Sequence, residues 1–513
     1  MSQGNQLSRK FRRENRNISF GPPLPACGNT SILFAYFQHT IVTTSLTAPR
    51  PSLFLGSTTH AGETAAMDGT DKETRSDSSR NDGIVGDDSV RNGSRVGRVL
   101  SRIASAPTSD PGPPPDGGYN AWMAVLSAHF IFMDTWGFVN SFGVFQTYYV
   151  QQLNRPPSDI SWIGSFQVFL LFFIGAFSGR FTDAGYFRHL FLCGSFLILL
   201  GIFATSWCTQ YWQIFLAHGV CVGLGFGLVF CPSLATLSTY FDKKRALAIG
   251  IAAVGSASGG LVFPSTVRQL LPQVGFPWAM RTLGFIQLAT LSVGLVFLKP
   301  RIPPRKASKM VDLSAFKELE YTFYTAGGFF SFMGVYFAFY YLASYSRDEL
   351  DFSYTDSLNL LLVLNGIGFI GRLGPNFLAD KIGTITVFTP MAFLSGLLTY
   401  CWIAVKSPTG LYVWTIFFGI AGNAIQALFP AGVSALTTDP SKQGTRIGMV
   451  FTIVSFAVLT GNPIAGAIIS ATGGRYLGAQ AFAGSCLMVG TFFLALARIV
   501  KTKKIGKGWF VKV

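Results

Sequence analysis

The residues able to do chemistry in this chain are few, and they lie inside long apolar runs. Arg372, Asp134, His129, His218 and Arg281 are ionisable groups in stretches otherwise dominated by Phe, Leu, Ile, Val, Gly and Ala. Charge in hydrocarbon is costly without a partner, so each is a candidate binding or coupling group. Arg372 stands first, because a guanidinium grips a carboxylate through two parallel hydrogen bonds and does not readily lose its charge. A second reading of Arg372 is an arginine near a helix end that snorkels to the headgroups. Asp134 has three readings: a partner for Arg372, a group titrating on its own, or a structural hydrogen bond to a neighbouring helix. Asn140, Asn365 and Gln426 are candidates for neutral polar groups on inward faces, joined by Gln167, Gln287, Asn423 and Asn462. With Arg372 and Asp134, the first three form the candidate substrate set. His129 and His218 read as packing residues rather than proton carriers.

A second set of charged residues lies between the runs. Gly179-Arg180-Phe181-Thr182-Asp183-Ala184-Gly185-Tyr186-Phe187-Arg188 is a tight loop, and Asn376-Phe377-Leu378-Ala379-Asp380-Lys381-Ile382-Gly383 is its weaker copy, with Asp183 and Asp380 separated by 197 positions. A carboxylate at such a helix end can accept hydrogen bonds from the first amides of a nearby helix or from an arginine. Asp183, Arg188, Arg245 and Asp380 are therefore candidate gating residues, whose contacts hold in one conformation and break in another. The plainer reading of a lone Asp is a solvated loop charge. Pro232 and Pro430, 198 positions apart, repeat the same register, each followed by a basic loop with Arg245 or Arg446.

These groups need a membrane to position them. Only 12% of residues are charged and 49% are hydrophobic, with 49 Phe and 56 Gly, whereas soluble domains carry about 25% charged residues. Twelve apolar runs of about 20 residues fall near 121–145, 160–178, 190–207, 212–235, 247–267, 278–298, 321–343, 357–376, 385–404, 411–434, 447–470 and 478–499. The expected fold is all-α and polytopic, with a six-helix half at 116–298, a basic linker at 299–320 and a second six-helix half at 321–500. Residues 501–513 form a basic tail. Residues 1–115, rich in Ser, Arg, Asn, Gly and Pro, read as a disordered tail. Its opening basic cluster mimics a presequence, and Met67 reads as an alternative start. Alternate loops carry fourteen Lys and Arg against five, which puts the richer set and both termini in the cytosol.

Other function classes lack their signatures. The net charge of +16 sits in short loops and tails, where anionic lipid attracts it, and no nucleic-acid motif accompanies it. The seven cysteines have no C-x-x-C spacing and imply no disulfide or metal framework. No G-x-x-x-x-G-K-[ST] loop or H-E-x-x-H occurs, and Gly255-Ser256-Ala257-Ser258-Gly259 has Ala at the nucleophile position of G-x-S-x-G. The chain is expected not to be an enzyme and to need no cofactor. The glycine stripes at 219, 223, 227 and at 250, 255, 259 read as helix packing.

The loop Gly-x3-Asp-x-Gly-x2-Arg at 179–188, between the second and third of twelve runs, resembles the signature loop of the major facilitator superfamily. Pro115-Asp116-Gly117-Gly118-Tyr119 and Tyr240-Phe241-Asp242-Lys243-Lys244-Arg245-Ala246-Leu247-Ala248-Ile249-Gly250 resemble its monocarboxylate porter branch. Ser141-Phe142-Gly143-Val144-Phe145-Gln146-Thr147-Tyr148-Tyr149 is similar to the fungal members. The resemblance covers about 116–500. It implies a secondary-active or facilitative carrier of a small organic anion, possible proton coupling, a plasma-membrane location and export of a fungal secondary metabolite. By the same resemblance, Arg372 stands where the porters place the arginine that meets the carboxylate. Two departures bear on coupling: Gly368 replaces the acidic partner one turn earlier, and Asn140 stands near the helix 1 lysine of animal members. A carrier of a neutral or aromatic solute such as a vitamin, and a non-transporting membrane sensor, are the other readings. The expected partners are a small molecule, the lipid bilayer and protons, with no nucleic acid. Oligomeric state is not encoded in any of these features.

Overall fold

The computed structural model describes residues 112, 114–242, 244–301, 312–437 and 443–506, with backbone alone for Asp183, Arg245, Ala246 and Gln443. The tail at 1–111 and most of the linker lie outside the described residues, where every regular element is helical. Among the described residues, eleven helices are long and apolar enough to cross a membrane. One of them, Leu247–Phe297, has 51 residues, or roughly 77 Å at 1.5 Å per residue, more than twice a hydrocarbon core of about 30 Å. It is broken at Gly275, where φ is 75° and ψ is 172°, with Pro272 and Pro277 on either side. A residue with a Cβ is strained at that φ. The Tyr240 hydroxyl donates to the Lys299 carbonyl at 2.7 Å, so both ends of the stretch lie at one face of the bundle. It is a hairpin of two spans, so the described residues make twelve crossings.

We label them α1 (119–153), α2 (Pro157–Asp183), α3 (Phe187–Thr205), α4 (Tyr211–Ser238), α5 (245–274), α6 (276–297), α7 (Leu319–Leu350), α8 (Tyr354–Ile382), α9 (Thr384–Trp402), α10 (Pro408–Leu436), α11 (Gln443–Ala471) and α12 (Leu477–Ile505). Most overrun the apolar runs read from the sequence. A 29-residue helix such as α12 spans about 44 Å and projects past the hydrocarbon into the interfacial layers. α1 begins at the face where the described chain starts, called here the terminal face. The far side is the opposite face.

Small residues set the packing. In α4, Gly219, Gly223 and Gly227 lie against Ile163, Gln167 and Leu170 of α2 so closely that an added Cβ would come within 2.7–3.0 Å of backbone oxygens. Gly255 and Gly259 of α5 press on the backbone of α1 at His129, Met133 and Gly137. Without a hydrophobic driving force between helices in lipid, such close approach is what holds them together.

The halves meet through two pseudo-equivalent crossings. α2 passes α11 where a Cβ on Gly448 would meet Ala176 Cβ at 3.5 Å, and α8 passes α5 where a Cβ on Gly250 would meet Leu373 at 3.8 Å. Toward the opposite face the contact tightens. A Cβ on Gly466 of α11 would lie 2.7 Å from Ser158 Cα, and Ser158 Oγ donates to the Pro463 carbonyl at 3.0 Å. Between α1 and α7, a Cβ on Gly143 would sit 2.5 Å from the Phe339 carbonyl.

At the terminal face each half ties the segment before its first helix to the start of its fifth. In the first half the Asp242 amide donates to Asp116 Oδ1 at 2.6 Å. In the second, Arg446 forms ion pairs with Glu318 at 2.6 Å and Asp312 at 3.3 Å, its guanidinium 5.6 Å from the Tyr321 ring centroid.

Candidate functional site

α8 is interrupted at Ile367, between Gly366 and Gly368, one turn before Arg372. Helical side chains lean toward the helix N-terminus, and here that direction leads away from the terminal face. The Arg372 guanidinium lies over Gly368, where an added Cβ would meet Nη1 at 2.6 Å and the Asn423 amide at 3.0 Å. Arg372 is 3% exposed. It therefore does not snorkel to the terminal-face headgroups. Both terminal nitrogens lack a hydrogen-bond partner among the described residues. The Tyr336 hydroxyl of α7, which also lacks one, is in electrostatic range of the guanidinium. The space that an acidic side chain at position 368 would need is filled by the arginine itself.

Around this charge the structure gathers neutral polar groups. Asn140 closes a short helical piece of α1, just before the break at Ser141. Its carbonyl accepts from Asn365 Nδ2 of α8 at 3.4 Å, which joins the two halves at this level. Neither side-chain atom of Asn140, nor Asn365 Oδ1, has a partner among the described residues. On α10, Asn423 Nδ2 donates to the Leu364 carbonyl at 3.2 Å, while Asn423 Oδ1 and Gln426 Nε2 are left over. The Tyr340 hydroxyl has none either, and its ring packs on Phe142 with centroids 4.8 Å apart. Buried polar groups in native proteins are overwhelmingly satisfied, so these unpartnered side chains of α1, α7, α8 and α10 stand out among the described residues.

Asp134 is not part of that cluster. It sits in a π-helical turn of α1, Met133–Gly137, fully buried, and the Thr290 hydroxyl of α6 is in hydrogen-bond contact with its carboxyl group at 2.7 Å. Of the three readings of Asp134, the pairing with Arg372 is not the one this conformation adopts. π-turns re-aim side chains within a helix, and the second one, Phe215–Cys221 in α4, carries His218. His218 Nδ1 lies 3.0 Å from the Tyr149 hydroxyl, among Phe138, Phe142 and Phe145. His129 has Nδ1 2.9 Å from the Ile251 carbonyl and Nε2 3.2 Å from Ser258 Oγ, bracing α1 on α5. Arg281 lies toward the opposite face, over Trp207 and Trp278 at 5.2 and 4.9 Å, an interfacial anchor.

Of the gating candidates, Asp183 ends α2 and Arg245 opens α5, and their side chains lie outside the described set. Arg188 is exposed at the start of α3, and Asp380 is exposed near the end of α8. Sequence reasoning missed the Arg446 clamp and the buried Glu320, which pairs with Lys504 at 2.8 Å. The available signal was three carboxylates, Asp312, Glu318 and Glu320, at the end of an otherwise basic linker.

Comparison with known proteins bears on this arrangement. The sequence profile of the Major Facilitator Superfamily matches residues 125–376. An MFS-type transporter of Gibberella zeae is 55% identical over 397 residues, 77% of this chain and 90% of that protein. An aspyridones efflux protein of Emericella nidulans is 35% identical over 423 residues, 82% of this chain and 85% of the relative. An agnestins efflux protein of Paecilomyces divaricatus is 35% identical over 418 residues, 80% of this chain and 94% of the relative.

Proposed function

The chain belongs to the major facilitator superfamily and is a membrane transporter, and we propose that its cargo is an organic acid with a conjugated or aromatic body, exported from the cell. The observation that carries this reading is the Arg372 guanidinium, buried and without a hydrogen-bond partner among the described residues. A buried cation of this kind is costly unless an anion completes it. The neutral amides and phenols around it suit the carbonyl and hydroxyl groups of a molecule larger than a short monocarboxylate. Phe142, Phe332 and the tyrosines of α7 supply flat apolar contact. Relatives named for the efflux of secondary metabolites support the outward direction.

The mechanism follows from the crossings. The positive-inside rule favours cytosolic termini, and with the plasma-membrane location that the family resemblance implies, the opposite face is extracellular. The tight contacts of Gly466 with Ser158 and of Gly143 with Phe339 hold that side closed, and rocking of the halves opens it. The Ala176–Gly448 crossing supports a latch in which Asp183, at the end of α2, meets the free amides in the first turn of α11, since such amides attract a carboxylate. Breaking that latch accompanies each turnover. Asp380 repeats it at the start of α5.

The test uses purified full-length protein in proteoliposomes with p-aminohippurate and its methyl ester. Protein-dependent transport of the acid, and not of the ester, is expected, with loss of the acid signal in Arg372→Ala. Equal transport of acid and ester would favour a neutral or aromatic solute, as the uncharged donors of α1 and α10 would allow. Binding without any movement would favour the sensor.

A further inference from the structure

The Thr290 hydroxyl is surrounded by acceptors. Its Oγ1 lies 2.9 and 2.7 Å from Asp134 Oδ1 and Oδ2, 3.0 Å from the Ile286 carbonyl and 3.1 Å from the Gln287 carbonyl. A hydroxyl has one hydrogen to give, and an ionised carboxylate has none. Gln287 adds a further deficit. Its Nε2 is 3.5 Å from the Asp134 carbonyl, and its Oε1 has no donor among the described residues. Among the described residues, Thr290 is the side chain in hydrogen-bond contact with the carboxylate, and no ion pair is formed with it. α6 presents Thr290 and Gln287, α5 presents the Gly259 backbone to the π-turn, α4 presents Phe230 to Trp136, and His129 of α1 is engaged with Ile251 and Ser258. An ionised Asp134 would thus be a charge in a dry helix interface, sharing one hydrogen among four acceptors.

We propose that Asp134 carries a proton in this conformation, in a site of its own between α1 and α6, and that release of this proton is coupled to substrate movement. With the carboxyl protonated, its O–H donates to Thr290 Oγ1 and the threonine hydroxyl donates to the Ile286 carbonyl, so both hydrogens have acceptors. Deprotonation leaves a carboxylate and one proton, which passes to water. That needs a conformation in which α1 has moved on α6, since Asp134 is 0% exposed here. The π-turn that holds it is the segment of α1 suited to such a register change. The coupling half of the proposal rests on the transport reading above. The proton site does not.

Infrared spectroscopy of the full chain in lipid nanodiscs, titrated from acid to alkaline pH, tests the site. The wild type should show a protonated-carboxyl carbonyl band at neutral pH that Asp134→Asn lacks, and spectra identical in this region would overturn the proposal. Asparagine keeps the shape and offers an N–H to Thr290. If that variant does not fold, Thr290→Val should move the wild-type band, and an unmoved band overturns the proposal equally. For coupling, a pH gradient across proteoliposomes should drive p-aminohippurate accumulation by up to about tenfold per pH unit for a one-proton exchange. Asp134→Asn should transport without responding to the gradient. An equal response in both proteins would place the coupling proton elsewhere. Failure of the wild type to move the acid would sink the cargo reading, while the infrared result would still decide the proton site.

Discussion

α2 crosses α11 at Ala176 and Gly448, and α8 crosses α5 at Leu373 and Gly250, with near-equal contact distances of 3.5 and 3.8 Å. The spacing at one crossing between the halves is thus repeated at the other. The chemistry is not. The second half supplies Arg372, Asn365, Tyr336, Tyr340 and the polar face of α10 to the space between the halves. The first half supplies Asn140 and turns its carboxylate, Asp134, back into its own interior against Thr290. The terminal-face clamps diverge in the same way, with backbone amides on Asp116 in the first half and a buried arginine between two carboxylates in the second. A duplicated frame keeps a glycine at each of these crossings, because close packing of helices is a main driving force for their association in lipid. Side chains that meet a ligand are free of that demand and have diverged.

The largest effect that would break this comparison is at Arg372. If the second half alone holds the anion, Arg372→Ala should lower transport of the acid by about a hundredfold, the scale of truncating one side of a desolvated charge pair. The matching change in the first half, Asn140→Ala, should cost about tenfold or less, on the scale of a neutral hydrogen bond. The two ends of one crossing offer the next contrast. An added methyl at Gly466 has backbone on it at 2.7 Å, whereas at Gly448 it makes ordinary contact. Gly466→Ala should therefore slow turnover about tenfold by opposing closure, and Gly448→Ala should stay within about twofold, both measured as proteoliposome flux.

The clamps separate by stability. Arg446→Ala leaves two carboxylates without their shared cation and should cost about 2–3 kcal/mol, less than a fully buried pair because Glu318 is 32% exposed. Asp116→Asn should cost about 1 kcal/mol. Thermal unfolding in detergent checks both, and equal losses would mean the clamps are equivalent. The smallest effect concerns the latches. Asp183→Asn should slow turnover with little change in substrate affinity, and Asp380→Asn should do the same more weakly. A change in affinity alone would remove the latch from the mechanism.

Much of the frame was legible before any coordinates. Run lengths, the gap between the runs at 247–267 and 278–298, the alternation of basic loops and the 197-residue register are local or additive properties of the chain. So was the short set of polar residues in apolar surroundings that could matter, since hydrocarbon makes each of them expensive. The direction in which each one points was not legible. In water a helix shows its buried face by an apolar stripe, but in a bilayer the lipid-facing and protein-facing sides are both apolar, so the sequence carries little phase information. Whether Arg372 leaned to the headgroups or over Gly368, and whether Asp134 met the arginine or Thr290, depended on helix rotation, on the π-turn in α1 and on the break at Ile367. Those are set by contacts between different helices, such as Asn423 with Leu364 and Asp134 with Thr290, which only the folded bundle brings together.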